Sequence, residues 1–349
     1  MFTNNSITPL RVAVAGLQHG LTHIDCIQRH SRVQLAAVID IDPERRCEAS
    51  TRFAVPGFQD IRELAVSGVA DAVILAVPTR FHASMTEQAL DAGLHVLLEK
   101  PLCRNDEEAS LLWAAAQRSP CVLQVGYEVR SSPLFEAVRD HIRCGDLGEV
   151  TNIWWHQHTD QSRHKDTWRA SRTDMGGVLF DCAVHYLDLL QQWAGAPLVR
   201  VAAFGNARGR TGACADGVPE SVAIILEYAN GIRGTYNLGA VNKFNDDASF
   251  GVAGTTGRIQ GNPIEAGSYE LRTHCGLRVG HFRFDPKLTS AGHLGFQEQL
   301  NHWLAAICDG APNICPIADA IAIHRMMRAL DVSLCESRMV DLNELPLPY

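Results

Sequence analysis

The first 126 residues alternate short apolar runs with amphipathic helical segments. Apolar runs separated by helical patterns predict buried strands joined by crossover helices, as in a doubly wound parallel sheet. This alternation constrains the fold more than any other feature of the chain, because it implies an α/β architecture. The pattern predicts five strands, at residues 11–15, 34–40, 72–77, 95–98 and 122–125.

The second half of the chain has a different pattern. Its apolar segments alternate with polar residues or are rich in β-forming residues, and the Asn230-Gly231 pair predicts a tight hairpin. We therefore expect an α+β domain with an open, mostly antiparallel sheet and two helices near its end. The predicted strands are 150–158, 200–205, 222–228 and 232–238, and the predicted helices are 296–308 and 317–337. The expected domains are residues 1–126 and 127–349.

The composition excludes several classes of protein. The formal net charge is −8 and the basic residues are scattered among acidic ones, which argues against a nucleic-acid partner. No run of eighteen apolar residues is present, and Met1 to Pro9 lack the basic and apolar regions of a secretion signal. The 11 cysteines form no CxxC pair, which favours reduced thiols over disulfides or a zinc site. We therefore expect a globular, cytoplasmic protein with no nucleic-acid or membrane partner.

A glycine-containing turn follows the first predicted strand and precedes a helical pattern. It is one residue shorter than the usual GxGxxG turn, lacks the middle glycine, and comprises Gly16, Leu17, Gln18, His19 and Gly20. Such a turn brings backbone amides and a helix N-terminus to a pyrophosphate. The segment therefore predicts a dinucleotide site, and an ordinary strand-to-helix turn is the alternative.

Asp40 strengthens the dinucleotide interpretation. It ends the second predicted strand, 24 residues after Gly16, where a carboxylate can accept hydrogen bonds from both hydroxyls of the adenosine ribose. A carboxylate there also repels a 2′-phosphate, so we expect NAD rather than NADP. Arg45 and Arg46 keep NADP open, because either guanidinium could receive that phosphate.

The tripeptide Glu99-Lys100-Pro101 follows the fourth predicted strand. It should therefore project from the carboxyl edge of the sheet, where folds of this type bind ligands. A lysine there can orient substrate and cofactor, and its charge can stabilise an alkoxide. Away from such an edge, this tripeptide is usually a surface turn. Pro101 makes a cis peptide bond possible.

An apolar helical stretch beginning at Gly176 carries Asp181, His185 and Asp188, spaced four and then three residues apart. A regular helix places these three side chains on one face, with the imidazole between the carboxylates. A histidine beside a carboxylate is a natural general acid and base, because the carboxylate fixes its tautomer and stabilises the imidazolium. A histidine satisfied within the core is the alternative.

Together these features resemble the glucose-fructose oxidoreductase and inositol dehydrogenase family (Gfo/Idh/MocA). The matching segments are RVAVAGLQHGLTH, AAVIDIDPER, DAVILAVPTRFHASMTEQALDAGLHVLLEKPL, QVGYEVRSSP, LGEV and WRASRTDMGGVLFDCAVHYLDL. The resemblance implies a Rossmann domain joined to an α/β domain whose open sheet makes oligomer contacts. We therefore expect a homodimer or homotetramer, since an exposed apolar sheet face favours a partner.

The resemblance also implies roles for individual residues. Lys100, Asp181 and His185 correspond to the family's catalytic lysine, aspartate and histidine. A second segment matches the part of the family that lines the nicotinamide half of the cofactor, namely Val77, Pro78, Thr79 and His82. The expected cofactor-binding set consists of this segment, the glycine turn, Asp40, Glu99 and Lys100.

Substrate contacts are expected from aromatic and basic residues near the second domain's first elements. Tyr127 and Arg130 follow the fifth predicted strand, and Trp168 and Arg169 lead into the helix of His185. An indole can stack on a sugar ring, and arginine can hold hydroxyl or carboxylate groups. For Trp168, packing between domains is an equal alternative.

A metal site is a minor alternative on the next predicted strand. His156 and His158 share one strand face, and Asp160 and His164 lie close in sequence. No fixed ligand spacing encloses them, and hydride transfer needs no metal, so the sequence predicts none.

The favoured function is an NAD(P)-dependent oxidoreductase that transfers hydride between a nicotinamide cofactor and a secondary hydroxyl or ketone. Its substrate would be a sugar, a polyol or a related cyclic compound. One alternative is a glycosidase that uses tightly held NAD for transient oxidation followed by elimination. The other is a non-catalytic regulator that senses NAD(P) on the same fold.

Overall fold

The computed structural model describes residues 8–160, 174, 179–206, 219–240, 247–263, 268–273, 275–281 and 294–347. Within these residues the chain divides into two compact units. The first contains the residues up to Gly126 and Phe296–Ala320, and the second contains the described parts of Tyr127–Gly295 and Ile321–Pro348. The sequence-based division instead placed the whole of 127–349 in one domain. The difference arises because the helix that begins at Phe296 packs against the helix that begins at Gly20.

The described helices are α1 Gly20–Gln28, α2 Pro43–Phe53, α3 Ile61–Ser67, α4 His82–Asp91, α5 Asp106–Arg118, α6 Pro133–Arg143, α7 Val184–Ala194, α8 Phe296–Cys308 and α9 Ile317–Glu336. None of these helices is both long enough and apolar enough to cross a membrane. Local signals explain several of their starts. The Asp42 side chain accepts hydrogen bonds from the backbone amides of Glu44 and Arg45 at the start of α2, and Asn105 caps α5 in the same way.

The first unit contains a six-stranded sheet in which every neighbouring pair of described strands runs parallel. Its spatial order is β3-β2-β1-β4-β5-β6, with β1 Leu10–Ala15, β2 Val33–Ile39, β3 Gly57–Phe58, β4 Ala72–Leu75, β5 His95–Glu99 and β6 Leu123–Gly126. The predicted doubly wound sheet is therefore confirmed. The edge strand β3 was missed, because two residues are too short to produce an apolar pattern.

Burial explains why the strands of this sheet are apolar on both faces. Val12, Ala13, Val14 and Ala15 are fully buried, since helices cover both sides of a doubly wound sheet. The chain order reverses between β1 and β4, the central pair. Such a reversal opens a crevice at the carboxyl ends of the strands, where ligands of these folds bind.

The second unit contains a nine-stranded sheet in the order β14-β13-β12-β11-β7-β10-β9-β8-β15. Its strands are β7 Val150–His158, β8 Leu198–Asn206, β9 Ser221–Tyr228, β10 Arg233–Gly239, β11 Asp247–Gly254, β12 Gly257–Asn262, β13 Ser268–Thr273, β14 Gly276–His281 and β15 Val340–Asp341. Among the described strands, β7 and β10 are parallel and the other neighbours are antiparallel. The expected open and mostly antiparallel sheet is confirmed.

The predicted hairpin at Asn230-Gly231 joins β9 to β10. Gly231 has a φ of +87°, a left-handed conformation that glycine adopts without steric cost. The backbone amide of Tyr228 donates to the carbonyl of Ile232 over 3.1 Å and closes the turn. The hairpin sets the register in which Arg233 lies opposite Glu227.

Aromatic packing fixes α7 against the second sheet. The rings of Trp155 on β7 and Tyr186 on α7 stack with centroids 3.9 Å apart and an interplanar angle of 15°. The ring centroids of Phe135 and Phe250 lie 5.6 and 5.8 Å from that of Trp155. The Trp193 ring on α7 packs in turn against Phe135 and Phe250, at 6.1 and 5.6 Å. The contacts hold the helix that carries His185 in a fixed position on the sheet.

The helix of His185 begins differently from the regular helix that the sequence predicted. A π-helical turn spans Leu179–Ala183, and α7 follows it from Val184 to Ala194, with Gly195 in a left-handed conformation at its end. Gly176, the predicted start, lies outside the described residues. Asp181 therefore lies in the π turn, and His185 lies in the first turn of α7.

Candidate active site and cofactor cradle

The predicted cofactor residues of the first unit gather at one edge of its sheet. The glycine turn follows β1, Asp40 follows β2, Val77 lies just after β4, and Lys100 follows β5. These strands are parallel, with Ala15 opposite both Ile39 and Leu75. Their carboxyl ends therefore lie side by side, and so do the residues that follow them.

The glycine turn is built so that no side chain fits at its first position. Gly16 has a φ of +86°, and a Cβ atom there would lie 2.2 Å from the carbonyl oxygen of Ala76. Gly20 opens α1 and packs directly on β1, where a Cβ would lie 2.7 Å from the Val14 side chain. Gly20 therefore provides the close helix–strand packing of the usual third glycine, although the turn is one residue short.

The remaining residues of the turn differ in exposure. Leu17 is buried, Gln18 is exposed and His19 is half-buried. The Gly20 amide donates to the Gly16 carbonyl over 3.0 Å, which closes the turn at the start of α1. We call residues 16–20 the glycine cradle. It has no Cβ at Gly16 and lies at the N-terminus of α1, so it fits the pyrophosphate of a dinucleotide.

Asp40 braces the turn from β2. Its carboxylate accepts hydrogen bonds from the backbone amides of Leu17 and Asp42, each at 2.9 Å, and only 7% of the residue is exposed. Each carboxylate oxygen can accept a further bond, so Asp40 still fits the diol of a ribose. Arg45 lies 3.4 Å from the same carboxylate, and Arg46 donates to the Asp40 carbonyl over 2.6 Å.

The segment after β4 forms a 3₁₀ turn over Thr79–Phe81. Val77 and Pro78 are half-buried and Thr79 is buried. The side chain of His82 lies between two backbone carbonyls. Its ring is 1% exposed, with Nδ1 2.9 Å from the Pro101 carbonyl and Nε2 2.9 Å from the Val77 carbonyl. His82 thus joins two loops of the cofactor edge, and burial lowers the pKa of its imidazole.

Lys100 lies at the end of β5, and the Lys100-Pro101 peptide bond is cis. The residue is half-buried, and its backbone amide donates to the Glu99 side chain over 3.3 Å. Glu99 is buried beside His23, whose Nε2 lies 2.7 Å from Glu99 Oε1. Burial raises the pKa of Glu99, but His19 and His23 outweigh this effect and hold that pKa well below its usual range.

In the second unit, the carboxylate of Glu128 lies beside His185. The distance from Glu128 Oε2 to His185 Nδ1 is 3.4 Å, and the two side chains are 3% and 12% exposed. Asp181 is also buried, in the preceding π turn. Sequence reasoning missed Glu128, although it lies in GYEVR between two residues that were predicted to face the substrate.

Arg130 and Asp188 form a buried ion pair that the sequence did not predict. Arg130 Nε and a terminal nitrogen lie 2.6 and 2.5 Å from the two carboxylate oxygens, and the side chains are 2% and 1% exposed. Asp188 therefore pairs with a guanidinium. Two guanidinium nitrogens of Arg130 thus bond to Asp188, and the predicted substrate contact of Arg130 stays a prediction.

The other predicted substrate residues are Tyr127, Trp168 and Arg169. Tyr127 is 1% exposed, and the Arg130 guanidinium lies 5.8 Å from its ring centroid. Trp168 and Arg169 lie outside the described residues.

The residues of the minor metal alternative are only partly described. His156 and His158 are exposed on β7 and Asp160 is half-buried, whereas His164 lies outside the described residues.

Comparisons with known proteins identify both parts of the chain. Residues 10–127 match the model of an oxidoreductase family with an NAD-binding Rossmann fold, and residues 135–260 match the GFO/IDH/MocA C-terminal domain. Inositol 2-dehydrogenase of Corynebacterium glutamicum is 26% identical over 313 residues, which cover 86% of each chain.

Solved structures share the fold. The crystal structure of myo-inositol 2-dehydrogenase from Lactobacillus plantarum matches with a TM-score of 0.81 at 20% identity, covering 96% of this chain and 99% of that one. Aldose-aldose oxidoreductase from Caulobacter crescentus matches with a TM-score of 0.84 at 20% identity, covering 95% and 99%. The two family models, the parallel sheet and the glycine cradle agree, so the chain belongs to the Gfo/Idh/MocA family of NAD-binding oxidoreductases.

Proposed function

We propose that this oxidoreductase interconverts a secondary hydroxyl and a ketone on a sugar, a polyol or a related cyclic compound. The observation that carries the proposal is the carboxyl edge of the first sheet, where the glycine cradle, Asp40 and Lys100 follow neighbouring parallel strands. The similarity to inositol 2-dehydrogenases supports a cyclic polyol as the substrate class. Membership of an oxidoreductase family favours this function over the glycosidase and regulator alternatives.

NAD is the proposed cofactor rather than NADP. The buried Asp40 carboxylate lies where an adenosine ribose would bind, and it would repel a 2′-phosphate. Both arginines that could favour NADP are engaged with this loop. Arg45 makes ion pairs with Asp40 and Asp42, and Arg46 donates to the Asp40 carbonyl. Binding of a 2′-phosphate would require breaking these contacts.

His185 is the proposed general base for the hydroxyl proton. The chemistry that NAD would supply when bound is to accept a hydride from the substrate carbon. Nε2 of His185 takes the hydroxyl proton, while the Glu128 carboxylate near Nδ1 stabilises the imidazolium that forms. Asp181 is the family's catalytic aspartate by resemblance, and its proposed role is to hold His185 in its working orientation. In the reverse direction, His185 returns the proton to the ketone oxygen.

Lys100 is the proposed electrostatic catalyst. Its ammonium group donates to the substrate oxygen and offsets negative charge as the proton leaves. The buried pair of Glu99 and His23 anchors the end of β5, from which Lys100 projects. In this way the first unit fixes the position of the amine by its own packing.

A homodimer or homotetramer is proposed from the open face of the second sheet. Residues of β9 alternate between exposed and buried, so one face is core and the other is accessible within the described chain. Phe204 and Ile225 are 65% and 52% exposed on that face. Large apolar side chains on an open sheet favour burial against a second subunit.

The function is tested by assaying a panel of sugars, inositols and their keto derivatives with NAD and NADP in both directions. The proposal predicts NADH formation with at least one cyclic polyol, and at least roughly tenfold higher kcat/KM with NAD than with NADP, equivalent to about 1.4 kcal/mol. NAD binding without turnover across the whole panel would contradict the dehydrogenase assignment. Preferential turnover with NADP would contradict the role of Asp40.

A further inference from the structure

Three potential metal ligands meet at the start of α1 and the end of β5. Nε2 of His23 lies 2.7 Å from Glu99 Oε1, and Nε2 of His19 lies 3.6 Å from the same oxygen. The ligand atoms of all three side chains lie within 4.8 Å of one another. The cluster is defined by these distances alone and does not rest on the proposed dehydrogenase reaction.

The positions of the two histidines favour a shared ligand. They are four residues apart at the beginning of α1, so their imidazoles lie on one face of the helix. A hydrogen bond accounts for the contact between His23 and Glu99, but 3.6 Å is too long for a hydrogen bond from His19. Around a tetrahedral zinc ion, nitrogen and oxygen ligands at about 2.0–2.2 Å from the metal lie roughly 3.3–3.5 Å apart. The spacing between His19 and Glu99 is close to that value.

Accessibility gives an ion a route into the cluster. The side chain of His19 is 36% exposed, whereas those of His23 and Glu99 are 1% and 5% exposed. An ion can therefore approach beside His19 and reach two ligands that are already held in place. Phe296 packs edge-on against both imidazoles at centroid distances of 5.6 and 5.4 Å, which restricts their rotation.

The donor chemistry also fits a transition metal. Glu99 supplies a carboxylate oxygen, the negatively charged ligand that suits a divalent ion, beside two imidazole nitrogens. Two imidazoles and one carboxylate are the protein ligands of many zinc sites that keep one position for water. Calcium and magnesium prefer oxygen ligands, and this set has two nitrogen donors.

We propose that His19, His23 and Glu99 bind one divalent transition-metal ion, such as Zn²⁺, with water at the remaining position. On binding, His23 and Glu99 exchange their hydrogen bond for metal bonds and release its proton, and their 2.7 Å separation opens by roughly 0.6–0.8 Å. The 3.6 Å separation of His19 and Glu99 is already close to the ligand spacing. The ion would join the glycine turn to the residue before Lys100. It would therefore cross-link β5 and α1 within the first unit.

The test is direct metal uptake by the full chain. The protein is treated with a chelator, kept reduced and titrated with Co²⁺, whose visible absorption reports tetrahedral or five-coordinate ligation. We expect one ion per chain and a spectrum without the intense ultraviolet bands of cobalt thiolates. The spectrum matters because the chain also contains 11 cysteines.

Three variants locate the ion. His19→Ala should weaken Co²⁺ binding at least about tenfold, since losing even an outer-shell partner costs roughly 10–100-fold. Glu99→Gln should do the same, whereas His281→Ala, an exposed histidine on β14, should leave binding unchanged. His19 is the primary site because its side chain is partly exposed and its removal spares the core. Circular dichroism checks that each variant is folded.

Uptake of Co²⁺ that is equal in the parent and in His19→Ala would overturn the proposal. A thiolate spectrum for the bound ion would overturn it as well, and so would the absence of any one-to-one uptake at millimolar metal. Because the readout is metal binding, these results are independent of whether a dehydrogenase substrate is found.

Discussion

At the scale of single residues, the environment of His185 decides how well it can serve as a base. The helical spacing predicted Asp181 and Asp188 as its neighbours, but the structure places Glu128 3.4 Å from its Nδ1 and pairs Asp188 with Arg130. A carboxylate at that distance favours the imidazolium, so it affects the pH at which His185 can accept a proton.

Glu128→Gln should therefore shift the pH dependence of catalysis. The variant keeps the shape of the side chain and removes its charge, which lowers the pKa of the imidazole relative to the parent. The acidic limb of the plot of kcat/KM against pH should move to lower pH, and kcat at high pH should fall by less than about tenfold. A profile that coincides with that of the parent would show that Glu128 does not act on His185.

The ion pair of Arg130 and Asp188 should contribute mainly to stability. Both side chains are almost fully buried, so Arg130→Met leaves an uncompensated carboxylate and should destabilise the protein by roughly 3–5 kcal/mol. The double variant Arg130→Met, Asp188→Leu removes both charges and should recover most of that loss. Urea unfolding measures both effects. A double variant less stable than the single one would contradict this interpretation.

The sequence predicted the positions of the candidate functional residues better than it predicted the groups that they contact. Gly16, Asp40 and Lys100 were predicted because each follows a strand, and parallel strands deliver such residues to one edge. His82, Arg130 and Asp188 have protein partners that the sequence did not predict. Their partners come from segments distant in sequence, such as the Pro101 carbonyl for His82, and helical periodicity carries no information about them.

At the scale of elements, the first sheet depends on a histidine at the start of β5. Nδ1 of His95 accepts a hydrogen bond from the backbone amide of Val122 over 2.9 Å, next to β6. Burial lowers the pKa of this imidazole from 6.5, partly offset by Asp71. Protonation at Nδ1 would remove the acceptor and place a charge in a partly buried position.

Acid should therefore weaken the protein through His95. The unfolded chain binds this proton more readily than the folded one, so the contribution of His95 is complete above pH 6.5 and declines as the pH falls below it. His95→Gln keeps an acceptor but does not titrate. The urea midpoint of this variant should fall less than that of the parent between about pH 8 and about pH 5. Parallel declines in the variant, the parent and an exposed control, His281→Gln, would refute the assignment.

The elements that were predicted share strong local patterns. Strand β7 and helix α8 have the predicted bounds, and helix α9 differs by one residue at its end. The four strands from Asp247 to His281 were missed, because segments such as GRIQGN and GLRVGH lack a clear apolar alternation. Their strand pairing is set by neighbouring strands instead. The π turn was also missed, since a helical pattern does not show where an extra residue enters a turn.

At the scale of the whole molecule, the open sheet face is the proposed oligomer contact. Ile225→Glu places a charge on that face and should convert the oligomer to monomers, because a buried unpaired carboxylate costs several kcal/mol in an interface. Val66→Glu is the matched control, since Val66 is 90% exposed on α3 of the first unit. Light scattering coupled to size-exclusion chromatography gives the masses. A monomeric parent, or an Ile225→Glu variant of unchanged mass, would contradict the proposal.

In the proposed mechanism, Lys100 and His185 act in the chemical step and contribute little to the affinity for NAD. With a substrate found in the panel, Lys100→Met and His185→Gln should each lower NAD-dependent turnover by roughly 10²–10⁴-fold. Their affinity for NAD, measured by titration calorimetry, should stay within a few-fold of the parent. Turnover close to that of the parent in both variants would contradict the proposed roles of the amine and the imidazole.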